Sequence, residues 1–256
     1  MCSEILDFSI LEGSEDREPH FRVRDQKKIS SAMEEYLLLI FDLSDQTSGR
    51  IMRVSTKHIA DKMNVKQSSV TSMLKKMAEV DPPLVEYQKH QGVILTTAGR
   101  REALQALRNH RLLELFLHDI MGFAWDEVHD EALRLQHAIS PHFTNKMAEL
   151  LDHPQFDPHG APIPDEDLYL PPQHNIRLLQ MKPNQLLRIT SVPDDNPLLL
   201  RHLDEAGLRP GSVCQIAQIN EDSKTIECII GQEHEAKHVL LDWNQGLSIT
   251  VELAFT

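Results

Sequence analysis

Apolar residues recur at helical spacing through the first 150 positions and in short, strand-like runs beyond about residue 180. Residues 28–43, KISSAMEEYLLLIFDL, predict a helix that Ser30 or Ser31 can cap, with Glu34 completing a capping box from Ser31. Ser55 or Thr56 caps a short helix that places Ile59, Ala60 and Met63 on one face. Asn64-Val65 supplies a tight turn, and a second helix begins near Gln67 with Val70, Leu74 and Met77 on its inner face. Asp81-Pro82-Pro83 stops it, because proline lacks the N–H that a helix interior needs. Residues 84–87 and 93–96 flank a polar tip, Gln88-Lys89-His90-Gln91, and predict a hairpin.

Further along, one long helix runs from Thr97 to Gly122, a second begins near Asp126, and a third opens with Pro141 at its first turn. Residues 153–174 are rich in Pro, Asp and His and predict a stretch with little regular structure. Five runs, 186–192, 212–219, 225–231, 238–243 and 247–253, predict strands of a small barrel, with a helix and glycine turn over 198–212. The fold class is therefore mainly α with a small β domain. Residues 1–25 form a loose arm and 26–98 a winged helix-turn-helix. Residues 99–164 form a helical domain, 165–180 a linker, and 181–256 the barrel.

Charge sharpens the reading of the head. The chain carries a formal −13, yet residues 50–111 hold twelve Lys/Arg against five Asp/Glu, a net +7 that leaves −20 for the rest. A basic module on an acidic body is the electrostatic footprint of a duplex-DNA binder. The second helix offers Lys66, Gln67, Ser68, Ser69, Thr71 and Ser72 at its exposed start, short polar groups suited to base edges. Lys75 and Lys89 suit phosphates. The competing reading is a helical hairpin packed for structure alone; the basic bias and the wing speak against it. No apolar run approaches the roughly 18–20 residues that span a bilayer. The acidic N-terminus is unlike an export signal, and Cys2, Cys214 and Cys228 have neither disulfide nor metal-ligand spacing, which together predict a cytoplasmic protein.

The candidate chemistry lies in the helical domain. His110 and Glu114 share one helix face at i, i+4. On the next helix His129 and His137 lie roughly 80° apart around the axis, and Gln136 about 20° from His129. Antiparallel packing would bring two imidazoles and a carboxylate together, a fit for a first-row divalent ion, and Glu35 could add a carboxylate from the first helix. The bland alternative is surface histidines in a chain with fourteen of them. A metal-dependent hydrolase is a remote reading, since the sequence has no HExxH, phosphate loop or nucleophile elbow.

From about Ser31 to Pro164, and again from Met181, the chain resembles the diphtheria toxin repressor and manganese transport regulator family. HIADKMNVKQSSVTSMLKKM resembles its DNA-reading unit and NHRLLELFLHDIMGFAWDEVHDEALRLQHAIS its metal-ligand segment. DPHGAPIP resembles its post-helical loop and GLRPGS its SH3-like domain. The resemblance implies a homodimer that binds an inverted repeat upstream of metal-uptake genes when Mn(II) or Fe(II) is bound. It implies one metal site at His110, Glu114 and His129, to which the SH3-like domain can add Asp194, Asp195 or Asn196. It implies a second site at Glu35 and His137. Where the family has Cys or Glu, this chain has Leu133, and where the family has Glu it has Gln136, so the second site is short of negative charge. Without a thiolate, oxygen-rich ligands lean toward Mn(II). A repressor of the same fold whose metal is structural or absent is the alternative.

Overall fold

The apolar spacing of each early helix becomes its buried face. In the computed structural model, which describes residues 29–44, 52–172, 176–231 and 236–254, α1 (Ser31–Leu43) buries Tyr36, Leu37, Ile40 and Phe41. The arm expected over residues 1–25 lies outside the described residues. Next, α2 (Thr56–Met63) is capped by Ser55, whose side chain accepts from the His58 N–H at 3.1 Å. Asn64 takes a left-handed conformation, φ 53°, and turns the chain into α3 (Gln67–Glu79), which buries Val70, Leu74 and Met77. Strands β1 (Val85–Gln88) and β2 (Gly92–Leu95) pair antiparallel as the wing, with Val85 opposite Leu95. Gly92 is needed at the start of β2, just past the wing tip: its φ is +95°, and a Cβ there would lie 2.4 Å from the Val54 carbonyl oxygen.

The helical domain is built on α4 (Thr97–Asp119), which packs against α1, α5 (Val128–Leu135) and α6 (Pro141–Leu150). Leu112, Leu113, Leu117, Val128, Ala132, Met147 and Ala148 form its core. Each such large apolar side chain contributes roughly 1.5–3 kcal/mol when fully buried. Two helices are shorter than the pattern predicts. The first stops at Asp119 and unwinds into a turn at Gly122 (φ +73°) rather than reaching it as helix. The next starts only at Val128, because Trp125 is drawn away into the C-terminal core.

The stretch after α6 has little regular structure but is no loose connection. Asp157, His159 and Ile163 are buried. The Arg108 and Arg111 guanidinium groups on α4 donate to the carbonyls of Pro164 and Pro162. Beyond it, a six-stranded antiparallel sheet has the order β3-β8-β4-β5-β6-β7. Its strands are β3 (Ile176–Arg177), β4 (Leu186–Ser191), β5 (Val213–Asn220), β6 (Thr225–Ile230), β7 (Lys237–Asp242) and β8 (Thr250–Leu253). The sheet starts at Ile176, ahead of the expected boundary at 181, since Ile176 and Arg177 pair with Val251 and Thr250. Helices α7 (Pro197–Ala206) and α8 (Trp243–Ser248) complete this domain. Its core includes Leu187, Ile189, Leu200, Leu203, Ile216, Ile226, Leu241 and the free thiols Cys214 and Cys228.

Candidate metal centre and nucleic-acid interface

Glu114 is fully buried on α4, four residues after His110, so helix geometry alone sets both side chains on one face. Its Oε1 lies 3.1 Å from His110 Nε2 and 3.0 Å from Nδ1 of His129, which α5 brings across. The two imidazole nitrogens are 3.3 Å apart. Asp194, on the loop between β4 and α7, places a carboxylate oxygen 3.7 Å from His129 Nδ1. Gln136 accepts from His110 Nδ1 at 2.8 Å, which turns Nε2 toward Glu114.

A second group shares Glu114. The Asp157 carboxylate and His159 Nδ1 converge on it, with their ligand atoms within 4.8 Å of one another. The loop that carries them is tightly folded: the His159 and Ala161 N–H groups donate to Asp157 Oδ1 at 2.8 and 2.9 Å. His159 Nε2 donates to the Trp125 carbonyl at 3.0 Å, which leaves Nδ1 as an acceptor. Glu114 Oε2, Asp157 Oδ2 and His159 Nδ1 are buried without a hydrogen-bond partner. Arg111 Nε reaches Asp157 Oδ2 at 3.7 Å, and a cation would compensate the remaining buried acceptors, each of which costs roughly 1–3 kcal/mol when unpaired. The donor set therefore fits a divalent cation, and its oxygens and imidazoles without thiolate suit Mn(II) or Fe(II).

The electrostatics agree. Burial opposes the charge of Glu114, yet His110 and the hydrogen bonds from His110 and His129 hold its carboxyl well below the usual range. Burial would lower the His129 imidazole, but its bond to Glu114 and the charges of Asp194, Glu114 and Asp130 push it up to about 8. Burial, then the nearby Glu114, raises Asp157 well above its ordinary value, against the pull of Arg111 and the Ala161 N–H.

Of the residues singled out in the sequence, His110, Glu114 and His129 come together, joined by Asp194. Gln136 is buried and touches His110 from outside the cluster. His137 stands apart: its Nδ1 meets Glu34 Oε2 of α1 at 3.0 Å. Glu35, the expected partner, is exposed. The reason is helical phase. Glu34 is in i, i+3, i+7 register with buried Leu37 and Phe41, and Glu35 is turned about 100° from it. Asp157 and His159 escaped the sequence reading. Their signal is Asp-Pro-His-Gly, in the segment that resembles the family's post-helical loop and that otherwise shows little regular structure.

On the head, Lys66, Gln67, Ser68, Ser69, Ser72 and Lys75 are exposed and Thr71 is half-buried. No side chain caps the start of α3. Lys89 is exposed at the wing tip, beside His90 at φ +66°.

Residues 28–93 match a family model described as the iron dependent repressor N-terminal DNA binding domain. Residues 96–165 match the iron dependent repressor metal binding and dimerisation domain, and 176–240 match the FeoA domain. The iron-dependent repressor IdeR of Mycobacterium leprae is 30% identical over 175 residues, 67% of this chain and 71% of that protein. A solved manganese-dependent transcriptional repressor in complex with manganese superposes with a TM-score of 0.76 at 32% identity, covering 87% of this chain and all (100%) of the other. ScaR with bound Zn2+ superposes with a TM-score of 0.72 at 29% identity, covering 87% and 99%.

Proposed function

The chain belongs to the iron-dependent repressor family, and from that premise we propose a specific reading: a cytoplasmic, dimeric repressor whose DNA affinity is set by Mn(II) or Fe(II) at the Glu114 cluster. The family is one of DNA-binding repressors, which disposes of the hydrolase reading. No helix among the described residues is long and apolar enough to cross a membrane. The observation that carries the metal assignment is the convergence of Glu114, Asp157 and His159 with unpaired buried acceptors, beside His110, His129 and Asp194.

Four segments meet there: α4, α5, the 157–160 loop and the loop before α7. A bound cation would add positive charge among these carboxylates. His110 and His129 would offer it imidazole nitrogens, Glu114 would span both halves of the cluster, and Asp194 would tie in the C-terminal domain. Because α4 also packs on α1, order in the cluster biases the position of the head. In a dimer that position sets the spacing of two recognition helices, which must match half-sites about one DNA turn apart. Lys66, Gln67, Ser68, Ser69, Thr71 and Ser72 read the groove, and Lys75 and Lys89 hold phosphates. Metal-homeostasis genes are the targets that such a sensor serves.

The test uses the full chain and an inverted repeat selected from random duplexes in the presence of Mn(II). DNA affinity is then measured with Mn(II), with Fe(II) and with chelator. The reading expects at least tenfold tighter binding with metal. Equal affinity in all three would sink metal regulation while leaving DNA binding intact, and would favour a structural metal.

A further inference from the structure

The site that the resemblance assigns to Glu35 and His137 does not fit a cation in this chain. Leu133 has no ligating group and is 41% exposed. Gln136, 1% exposed, spends its amide oxygen on His110. Glu35 is exposed. What remains is His137 and Glu34, two side chains already bonded to each other at 3.0 Å across 103 positions of sequence. Among the described residues, only two groups of three or more His, Cys, Asp or Glu gather their ligand atoms closely enough for a metal ion. Both contain Glu114, and neither contains His137 or Glu34.

The pair occupies a particular place. Glu34 lies in the first turn of α1, the helix that leads into the DNA-reading head, and His137 follows directly on α5. Both side chains are partly buried, with 18% and 25% exposure, so solvent screens the contact less than it would a surface pair. Its partners are not held by the same helix. Closing the contact therefore fixes α1 against the dimerisation domain rather than merely stiffening one element.

We propose that this chain has no second metal site and that the direct Glu34–His137 contact fastens α1 to α5 without a metal ion. The metal response then runs through the Glu114 cluster alone. This rests on the reading above for the Glu114 cluster but not for the contact itself, and the two fail separately. Part of the coupling between head and core is permanent in this chain.

Two measurements on the full chain test it. The first counts Mn(II) bound per chain at equilibrium in wild type, Glu34→Ala and His137→Ala. The expected result is the same count in all three, whereas His110→Ala lowers it. The second follows backbone hydrogen exchange of α1 in chelator-treated protein. Glu34→Ala, which keeps a good helix former, should speed α1 exchange on the order of fivefold, while Glu35→Ala leaves it unchanged. Loss of bound Mn(II) in His137→Ala or Glu34→Ala overturns the inference and leaves the Glu114 site standing. Unchanged α1 exchange in Glu34→Ala overturns the metal-free fastening. Wild type that binds no Mn(II), with α1 still loosened by Glu34→Ala, overturns the Glu114 reading and leaves the fastening in place.

Discussion

Trp125 stacks on His159, with ring centroids 5.4 Å apart and planes 22° from parallel. Two side-chain hydrogen bonds tie the same segments together: Trp125 Nε1 donates to the Pro158 carbonyl at 3.0 Å, and His159 Nε2 donates to the Trp125 carbonyl. The same indole is packed in the core of the C-terminal domain. One aromatic residue therefore fixes the tautomer and tilt of a candidate ligand and anchors the turn before α5.

Trp125→Phe keeps much of the packing and loses the indole N–H. It should cost about 1 kcal/mol of stability and weaken Mn(II) binding, as outer partners of metal ligands do. Urea denaturation of metal-free protein and Mn(II) titration measure the two effects. Unchanged Mn(II) affinity would show that the stack is structural only.

Gly160 tests the docking of the loop. Its φ is +84°, and an added Cβ would lie 2.0 Å from the Thr190 carbonyl oxygen on β4. Beside it the Val192 N–H donates to the His159 carbonyl at 2.9 Å. Gly160→Ala must push the loop off the strand. The expected loss is ~1–3 kcal/mol, with weaker Mn(II) binding although no ligand is altered. Wild-type stability in this variant would contradict so close a contact.

Gln136→Met preserves volume and removes the acceptor that orients His110. Mn(II) affinity should fall about 10–100-fold, while Gln136→Glu, which keeps an acceptor there, stays much closer to wild type. Equal loss in both variants would make the residue's role one of packing.

Protons compete with the cation at His129. Its value is raised from 6.5 to about 8 in the folded chain. In metal-free protein the ion pair with Glu114 therefore contributes fully below pH 6.5 and is lost as pH rises through about 8. The difference corresponds to ~2 kcal/mol. The Tm of chelated protein should fall between pH 6.5 and 9. Mn(II) binding near pH 7 should release protons, and its affinity should drop as pH falls below about 8. Calorimetry in buffers of different ionisation enthalpy reads the release; identical heats would count against His129 as a ligand.

The family model places dimerisation within residues 96–165, where Leu135, Phe143 and Leu150 are exposed large apolar side chains. A second copy covering them follows the usual logic of a two-fold interface. The double variant Leu135→Asp and Phe143→Asp should sediment as a folded monomer and bind the operator at least tenfold more weakly. A dimer of unchanged stability would place the interface elsewhere.

Local rules carried much of this molecule. Ser55 as cap, Asn64 as left-handed turn, and the spacing of Val70, Leu74 and Met77 are short-range physics, so the helix-turn-helix is readable from the chain. The i, i+4 pair His110 and Glu114 is readable for the same reason, since one helix positions both. His129 required a second helix, and its placement followed from the packing of α5 against α4.

What the sequence by itself determined is the set of elements, the basic head and one helix face bearing ligands. Only the tertiary structure decided which carboxylates meet those ligands. Asp157 and His159 arrive on an irregular loop, where no periodicity marks burial, and Asp194 arrives from a separate domain. The choice of Glu34 over Glu35 depends on the rotation of α1 about its axis, which packing of Leu37 and Phe41 fixes. A helix turns about 100° per residue, so one position moves a carboxylate from the interior to solvent. The family resemblance could place an acid of the first helix near His137, but only long-range packing could say which acid reaches it.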